Sequence, residues 1–379
     1  AGCLLLNAYY PIARLREKDY IPAADYTAVT ERAAAAVERV QAADGGVYRM
    51  EMNNQLTDDD PMLYGYAGIT NSASDVNRTW MDFANALGFQ EISFRTKYEN
   101  GASPVVESVF GLKYLLKDQT VTHADPPEGY EPLWTQDGIT AYENTYALPL
   151  AFLAPEQTRE LTDENPFVNQ NALLGDLTGT DVSVFEPMED IERAYDGTWE
   201  TYTFHVEQDR LLYLWSWGTR YRVNGGETVS KAHYNGTVPL PAADADTTYT
   251  LGMTEPLGIK LAYFDPDAFQ EAQAVLAAHA ADVESDTDSH FVIRADATDG
   301  FTQLLLTLPY DAGWRVWVDG EKAETTSRYG ALLAVNLTQG THTVELRFTP
   351  QGLWAGITIS LSSLALVLLW AAWKRKNKR

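Results

Sequence analysis

The sequence predicts an α+β protein: an N-terminal mixed α/β domain, two β-sandwich modules of jelly-roll-like character, and one C-terminal transmembrane helix. Three observations carry that expectation. Helical and strand-like stretches alternate as far as about residue 180. Short alternating strands with Gly, Asn and Asp turns follow. The end of the chain, from Phe348 to Trp373, holds no charged residue and is followed at once by cations.

The first domain is assigned to residues 1–180. "DYTAVTERAAAAVERVQAADGG" reads as a helix capped by Asp25 and stopped at Gly45-Gly46. "VYRMEM" (47–52) is a strand, and "SDVNRTWMDFANALGF" is a helix running from a Ser74 or Asp75 cap to Gly88. "EISFRTKY" is strand-like. "SPVVESVFGLKYLL" is a short helix, a break at Gly111 and a buried strand. "ITAYENTYALPLAFL" supplies two strands around Pro149, placed near an edge because proline cannot donate to a ladder.

The first sandwich is assigned to 181–264, a connecting helix to 265–282 and the second sandwich to 283–350. The two sandwiches read as relatives. "LLYLWSWGTRYRVNGGE" and "QLLLTLPYDAGWRVWVDGE" each pass from an apolar strand through an aromatic-rich strand to Val-(Asn/Asp)-Gly. A further strand and a Thr-rich alternating strand follow in each. Asn224-Gly225 and Asp319-Gly320 are hairpin signals, because these residues tolerate positive φ.

Leu353 to Trp373 is 21 residues, about 30 Å of helix, which matches a bilayer's hydrocarbon core. Trp354, Trp370 and Trp373 suit the two interfaces, and the basic tail 374–379 places the C-terminus in the cytoplasm with the body outside. A buried core helix is the alternative. Lys374, Arg375, Lys376, Lys378 and Arg379 are five of the 28 basic residues against 53 acidic ones, so residues 1–373 carry a formal −30. Such a body has no basic footprint for nucleic acid. Cys3 is the single cysteine, so no internal disulfide forms, and a large disulfide-free outer domain points to a bacterial surface. The opening "AGCLLLNAYY" reads as the end of an earlier apolar helix; a lipoprotein cleavage site is the other reading.

Chemistry-bearing motifs are sparse. No Gly-rich phosphate loop, H-x-x-x-H pair or G-x-S-x-G elbow occurs, so no cofactor and no metal is expected. "TDDDP" (57–61) and "DVESDTDSH" (282–290) have the alternating carboxylates calcium uses but not the loop's Gly and terminal Glu, and read as solvated. No spacing singles out a glycosidase-like carboxylate pair. Trp215, Trp217, Tyr221, Tyr234, Tyr310, Trp314, Trp317 and Tyr329 are candidates for stacking on sugars or for core packing. "WRVWVDG" puts Trp314 and Val316 on one face and Arg315 and Trp317 on the other. The loop "MLYGYAGITNSASDVN" (62–77) is either a backbone-lined ligand site or a turn-rich connection.

"VYRME", "YGYAGITNSASDVN", "FANALGF", "PVVESVFGLKYLL", "YENTYALPLAFL", "LPYDAGWRVWVDG" and "GTHTVELRFTPQGLWAGITIS", in that order, resemble the YfhO family of bacterial multi-span membrane proteins. The resemblance implies a membrane-embedded glycosyltransferase that uses a lipid-phosphate sugar and decorates a cell-envelope polymer such as teichoic acid. It also implies that the chain is the large extracytoplasmic region and last helix of such a protein, with the catalytic acid in an earlier membrane portion. No catalytic residue is therefore assigned here. Motif positions that become candidate ligand contacts are Arg49, Tyr66, Ser72, Asn77, Tyr142 and Asn144, beside Tyr48, Gly65, Gly68, Glu143 and Pro149. Arg49 is alternatively expected to pair with a carboxylate. Pro309, Tyr310, Gly313, Trp314, Asp319 and Gly320 are expected to be architectural. A −30 body repels an anionic acceptor, so binding would use a local patch such as Arg14, Arg16 and Lys18, or Arg95, Lys97 and Lys113, or else a bridging cation. The competing function is a membrane-anchored, non-enzymatic carbohydrate-binding or adhesion ectodomain.

Overall fold

A computed structural model describes residues 22–377, apart from 54, 74–76, 93–94, 99–101, 120–128, 190, 207–209, 217–219, 231–235 and 255–257. The architecture is α+β, with strands in several separate sheets and one apolar C-terminal helix.

The first unit runs through α1 (Ala23–Ala43), β1 (Arg49–Met52), α2 (Asp60–Tyr64), β2 (Asn71–Ser72), α3 (Arg78–Ala86), β3 (Gln90–Ile92), β4 (Arg95–Lys97), α4 (Pro104–Val109), β5 (Leu112–Asp118), β6 (Tyr130–Gln136) and β7 (Ile139–Asn144). Its main sheet has the order β1-β5-β7-β6, with β1 parallel to β5. Ala33, Ala36, Val37 and Val40, at helical spacing on α1, cover one face of it. Two expected caps differ. Helix α1 starts at Ala23 after Pro22, which presets φ for helix entry, so Asp25 lies in the first turn. Ser74 and Asp75 lie outside the described residues; the cap of α3 is Asn77, whose side chain accepts from Trp80 N at 3.2 Å.

Strand β8 (Ala151–Ala154) and helix α5 (Pro166–Thr178) lead into the first sandwich: β9 (Phe185–Pro187), β10 (Glu192–Tyr195), β11 (Glu200–Val206), β12 (Arg210–Ser216), β13 (Arg220–Val223), β14 (Val229–Ser230), β15 (Thr237–Ala243), β16 (Thr247–Thr254) and β17 (Ile259–Phe264). Helix α6 (Pro266–Ala278) then opens the second sandwich: β18 (Asp282–Thr287), β19 (His290–Ala297), β20 (Gln303–Pro309), β21 (Trp314–Val318), β22 (Glu321–Ala323), β23 (Thr326–Arg328), β24 (Leu332–Asn336) and β25 (Gly340–Phe348). The acidic stretch from Asp282 is thus a strand and turn rather than an open loop.

Each sandwich is a five-stranded sheet on a four-stranded one. The five-stranded orders, β10-β11-β16-β13-β14 and β18-β19-β25-β21-β22, are the same pattern. Both begin with a 13-residue helix whose first residue is proline and whose cap is Asn165 or Asp265. Both turn at an Asx-Gly pair with positive φ: Asn224 (48°) with Gly225 (69°), and Asp319 (53°) with Gly320 (84°). The Asx side chain then accepts from a threonine N–H on the returning strand, Thr250 at 2.7 Å and Thr343 at 2.9 Å.

The four-stranded sheets match over three strands, β15-β12-β17 and β24-β20-β8, and each adds one of its own, β9 or β23. The first is β15-β12-β17-β9, built within the module; the second is β23-β24-β20-β8, whose last strand comes from upstream of the first sandwich. In place of a strand equivalent to β17, the chain after β25 goes directly into α7 (Leu353–Lys376).

Alternation along these sheets builds three stacked cores. Leu212, Leu214 and Leu261 face the first sandwich's interior, while Tyr213, Ala262 and Phe264 face a central layer. Leu153, Leu304 and Leu306 face the second interior, while Phe152 and Leu305 face the same central layer. Helices α3 to α6 fill that layer with Phe83, Val106, Phe167, Leu174, Phe269 and Leu276.

Helix α7 has no buried residue, and its most apolar 18-residue window has a mean hydropathy of 1.9. A fully exposed apolar helix of 24 residues is long enough to cross a bilayer. It continues past Trp373 to Lys376, because Lys and Arg are good helix formers and favour a helix C-terminus.

Candidate functional site

The loop that follows α2 folds over the edge strand β1, and its centre is Glu51. This carboxyl is fully buried. One oxygen accepts from Ile69 N at 2.5 Å and Thr70 N at 2.7 Å; the other accepts from Thr70 Oγ1 at 3.1 Å and Gln55 Nε2 at 3.0 Å. Burial raises its pKa to about 7, against the lowering effect of those four donors. Gly68 permits the close approach: a Cβ there would lie 2.7 Å from Pro61 Cγ and 3.0 Å from Glu51 Oε1. Gly65, at φ 72°, ends α2. Tyr66 is buried beside them, and its hydroxyl, Gln55 Oε1 and Asn53 Nδ2 have no hydrogen-bond partner among the described residues. Glu51 therefore shapes the loop, while unpaired polar atoms collect around it.

The six candidate contacts do not converge. Tyr66 and Ser72 belong to this loop; Ser72 is half-exposed, in β2, and its N–H meets Asp59 Oδ1 at 3.3 Å. Arg49 points the other way, toward the second sandwich. Its guanidinium donates to Phe110 O at 2.6 Å, Thr307 Oγ1 at 3.0 Å and Thr307 O at 2.5 Å, so it binds carbonyls and a hydroxyl instead of the expected carboxylate. Burial lowers its pKa to about 10, which leaves it charged at neutral pH. Asn77 Nδ2 donates to Tyr310 O at 3.0 Å, a second tie to the same region. Tyr142 packs half-buried on the central layer. Asn144 is buried, donating to Leu112 O at 3.0 Å and accepting from Tyr146 N at 3.0 Å.

The described cations among those considered for an anionic acceptor each already have a carboxylate partner. Arg95 and Lys97 both pair with Asp58, at 3.1 and 2.5 Å. Lys113 pairs with Asp44 at 2.6 Å. Arg14, Arg16 and Lys18 lie outside the described residues. Among the described residues no three His, Cys, Asp or Glu side chains cluster to hold a metal ion.

Two buried polar groups went unnoticed in the sequence. Glu107 on α4 accepts from Tyr98 Oη at 2.5 Å, and burial raises its pKa to about 8. Arg328 on β23 and Asp176 on α5 form a fully buried pair at 2.6 Å, joined by Tyr329 Oη on the same carboxylate oxygen at 2.6 Å. Thr158 N and Arg159 N donate to the other oxygen at 2.7 and 3.1 Å. The partners are 152 residues apart, so no local spacing announces them.

The aromatic candidates are largely packed. Trp314 lies 5.0 Å from Phe348, and Arg347 sits 5.8 Å over Trp317. Trp217 and Tyr234 lie outside the described residues.

Two solved structures give distant matches to part of the chain. One is a conserved protein of unknown function from Pseudomonas aeruginosa, at 14% identity over 43% of this chain and 87% of that one, with a TM-score of 0.14. The other is an anti-sigma factor domain-containing protein, at 12% identity over 44% and 81%, also with a TM-score of 0.14. No curated protein matches. The family described as bacterial membrane protein YfhO matches residues 1–210 and 246–360, so the match spans the first unit, most of both sandwiches and the start of α7. The break, 211–245, falls on strands β12 to β15 of the first sandwich. By this match the chain belongs to the YfhO family of bacterial membrane proteins.

Proposed function

We propose that this region is the extracytoplasmic part of a membrane glycosyltransferase-like protein and assists sugar transfer from a lipid-linked donor to an envelope polymer such as teichoic acid. In this reading α7 crosses the bilayer, its basic end lies in the cytoplasm and the folded body stands outside. Catalysis is assigned to an earlier membrane-embedded portion, and no residue here is given a catalytic role.

The observation that carries the reading is the joint between body and membrane helix. Strand β25 ends at Phe348 and α7 begins at Leu353, with Thr349 N bonded to Gly313 O at 3.0 Å across the link. So short and tied a link holds the body against the bilayer surface, where a lipid-linked donor reacts. Of the six candidate contacts we assign Ser72, on the half-exposed loop edge, to the acceptor, with Tyr66 supporting the loop. Arg49, Asn77, Tyr142 and Asn144 are assigned to scaffold, on the strength of their backbone and packing partners. The packed rings of Trp314 and Trp317 make a stacking carbohydrate binder the weaker reading.

Deleting the full-length gene and analysing wall-polymer sugars tests the proposal. Loss of a sugar substituent is expected, and unchanged glycosylation overturns it. Protease added to intact cells should degrade the body, and full protection would reverse the assigned topology.

A further inference from the structure

The joint between β25 and α7 forms a half-open cavity of about 230 Å³, lined in part by Gly313, Arg315, Thr349, Gln351 and Trp354. Asp311 Oδ1 accepts from Gly313 N at 2.6 Å, which turns that carboxylate into the loop backbone. A Cβ on Gly313 would lie 2.6 Å from Thr349 O and 2.7 Å from Phe348 Cε2, so only glycine lets the two segments close on each other. Because Leu353 and Trp354 begin the apolar helix, the cavity sits at the level where lipid headgroups lie.

The charge around it is unusual for this protein. Arg315 stands directly across from Arg347 in the β21–β25 ladder, and like charges so placed repel. Arg347 is compensated by Glu345, at 2.5 and 2.8 Å. Glu345 also takes His290 Nε2 at 2.9 Å, and His290 Nδ1 meets Asp286 at 2.8 Å. These contacts raise the pKa of His290 and lower those of both carboxyls, which keeps the neighbouring network occupied. Arg315 is left exposed, without an ion pair or hydrogen bond among the described residues. An exposed guanidinium with no carboxylate partner is free to take an anion from outside the protein. Its five donors in a planar fork match phosphate oxygens. The first turn of α7 opens beside it at Gly352 with no side-chain cap, and Trp354 offers an interfacial ring.

We propose that this cavity binds the phosphate headgroup of a membrane lipid, with Arg315 as the counter-ion. The inference needs α7 to lie in a bilayer and does not depend on the transferase reading. The lipid is either a bulk phospholipid or an isoprenoid phosphate, which share this chemistry.

The test uses the full chain purified in detergent, with native mass spectrometry after adding phosphatidylglycerol, decaprenyl phosphate or diacylglycerol. Retention of one phosphate-bearing lipid, and of no diacylglycerol, is expected. Arg315→Gln should weaken retention roughly tenfold or more, the size of one charge-assisted contact. Arg315→Lys, which keeps a point charge without the fork, should fall between the two. Stronger retention of decaprenyl phosphate assigns the site to an isoprenoid carrier and stronger retention of phosphatidylglycerol to bulk lipid; both uphold a phosphate site. Equal retention of diacylglycerol overturns the proposal. So does Arg315→Gln binding like the wild type, or an equal loss from Lys322→Gln on the neighbouring hairpin.

Discussion

The two sandwiches have the same strand order in their five-stranded sheets, the same Asx-Pro helix in front and the same Asx-to-threonine turn bond, yet they are held in the molecule differently. The first completes its four-stranded sheet with its own β17. The second ends at the membrane, and takes β8 from upstream of the first sandwich instead. A repeated sequence pattern thus fixes a module's internal wiring but not its attachment. The second sandwich gains a strand, the Arg49 and Asn77 contacts and the Arg328–Asp176 pair, all reaching the first unit or α5. The first sandwich relies more on the shared central layer and on smaller ties such as Thr237 Oγ1 to Gly88 O, at 3.1 Å.

The sharpest way to break the contrast is Arg328→Ala. It leaves Asp176 buried without its cation and should destabilise the full chain by about 3–5 kcal/mol in a denaturant titration in detergent. Hydrogen exchange should rise in the second sandwich and in α5 before it rises in β11 or β16; a uniform rise would erase the distinction.

Leu153→Ala and Leu261→Ala form a matched pair next in size. Both side chains are buried against their own sandwich interior, and each loss should be about 2–5 kcal/mol. Their reach should differ. Leu153→Ala is expected to increase exchange in the first unit as well as in β20, whereas Leu261→Ala should spare the first unit. Identical exchange maps would show that β8 does not couple the two regions.

Acidity acts on the first unit as a slope in pH instead of a fixed loss. Glu107, with its pKa raised by burial to about 8, keeps a proton in the folded state that the unfolded chain gives up. Stability should therefore fall as pH rises from about 5 to 8, by at most about 1.4 kcal/mol per unit from this group, and level off above that. Melting curves of Glu107→Gln should lose the fall between pH 7 and 8 and keep, between pH 5 and 7, the part that Glu51 contributes. A fall between pH 7 and 8 that persists in the variant would assign it to another group.

The smallest effect is expected at the paired turns. Asn224→Gly and Asp319→Gly each relieve a positive φ but remove the bond to Thr250 or Thr343, so each should change stability by less than about 1 kcal/mol. A loss more than twice as large at Asp319 would trace to His342, whose Nδ1 it also meets at 2.7 Å.

Much of this fold was legible because its signals are local. The membrane helix, the two Asx-Gly turns, the break at Gly111 and the alternation of Trp314 and Val316 against Arg315 each depend on residues within a few positions of one another. The kinship of the sandwiches was legible because the same spacing occurs twice. The pairing of β8 with β20 was not, since an apolar strand carries no label for a partner some 150 residues away; Thr307 N, for instance, reaches Leu150 O, and its hydroxyl does so over a separation of 157 residues. The site was less legible still. Arg49, Asn77 and Asn144 stood out as polar residues in motifs, but polar side chains that hold backbone carbonyls look the same in a sequence as those that hold ligands. Arg315 drew notice only as the partner of Trp317 on a strand face, because its lack of a counter-charge depends on where Glu345 and Arg347 are placed.

The borrowed strand also sets a timetable for synthesis. Leu150 leaves the ribosome 157 residues ahead of Thr307, a gap of roughly ten to thirty seconds at ordinary elongation rates. Throughout that interval the nascent chain carries an apolar strand whose eventual neighbour does not yet exist, while a whole sandwich is made in between. Chaperones that shield such an edge would therefore matter most during one window, between the appearance of β8 and the emergence of β20.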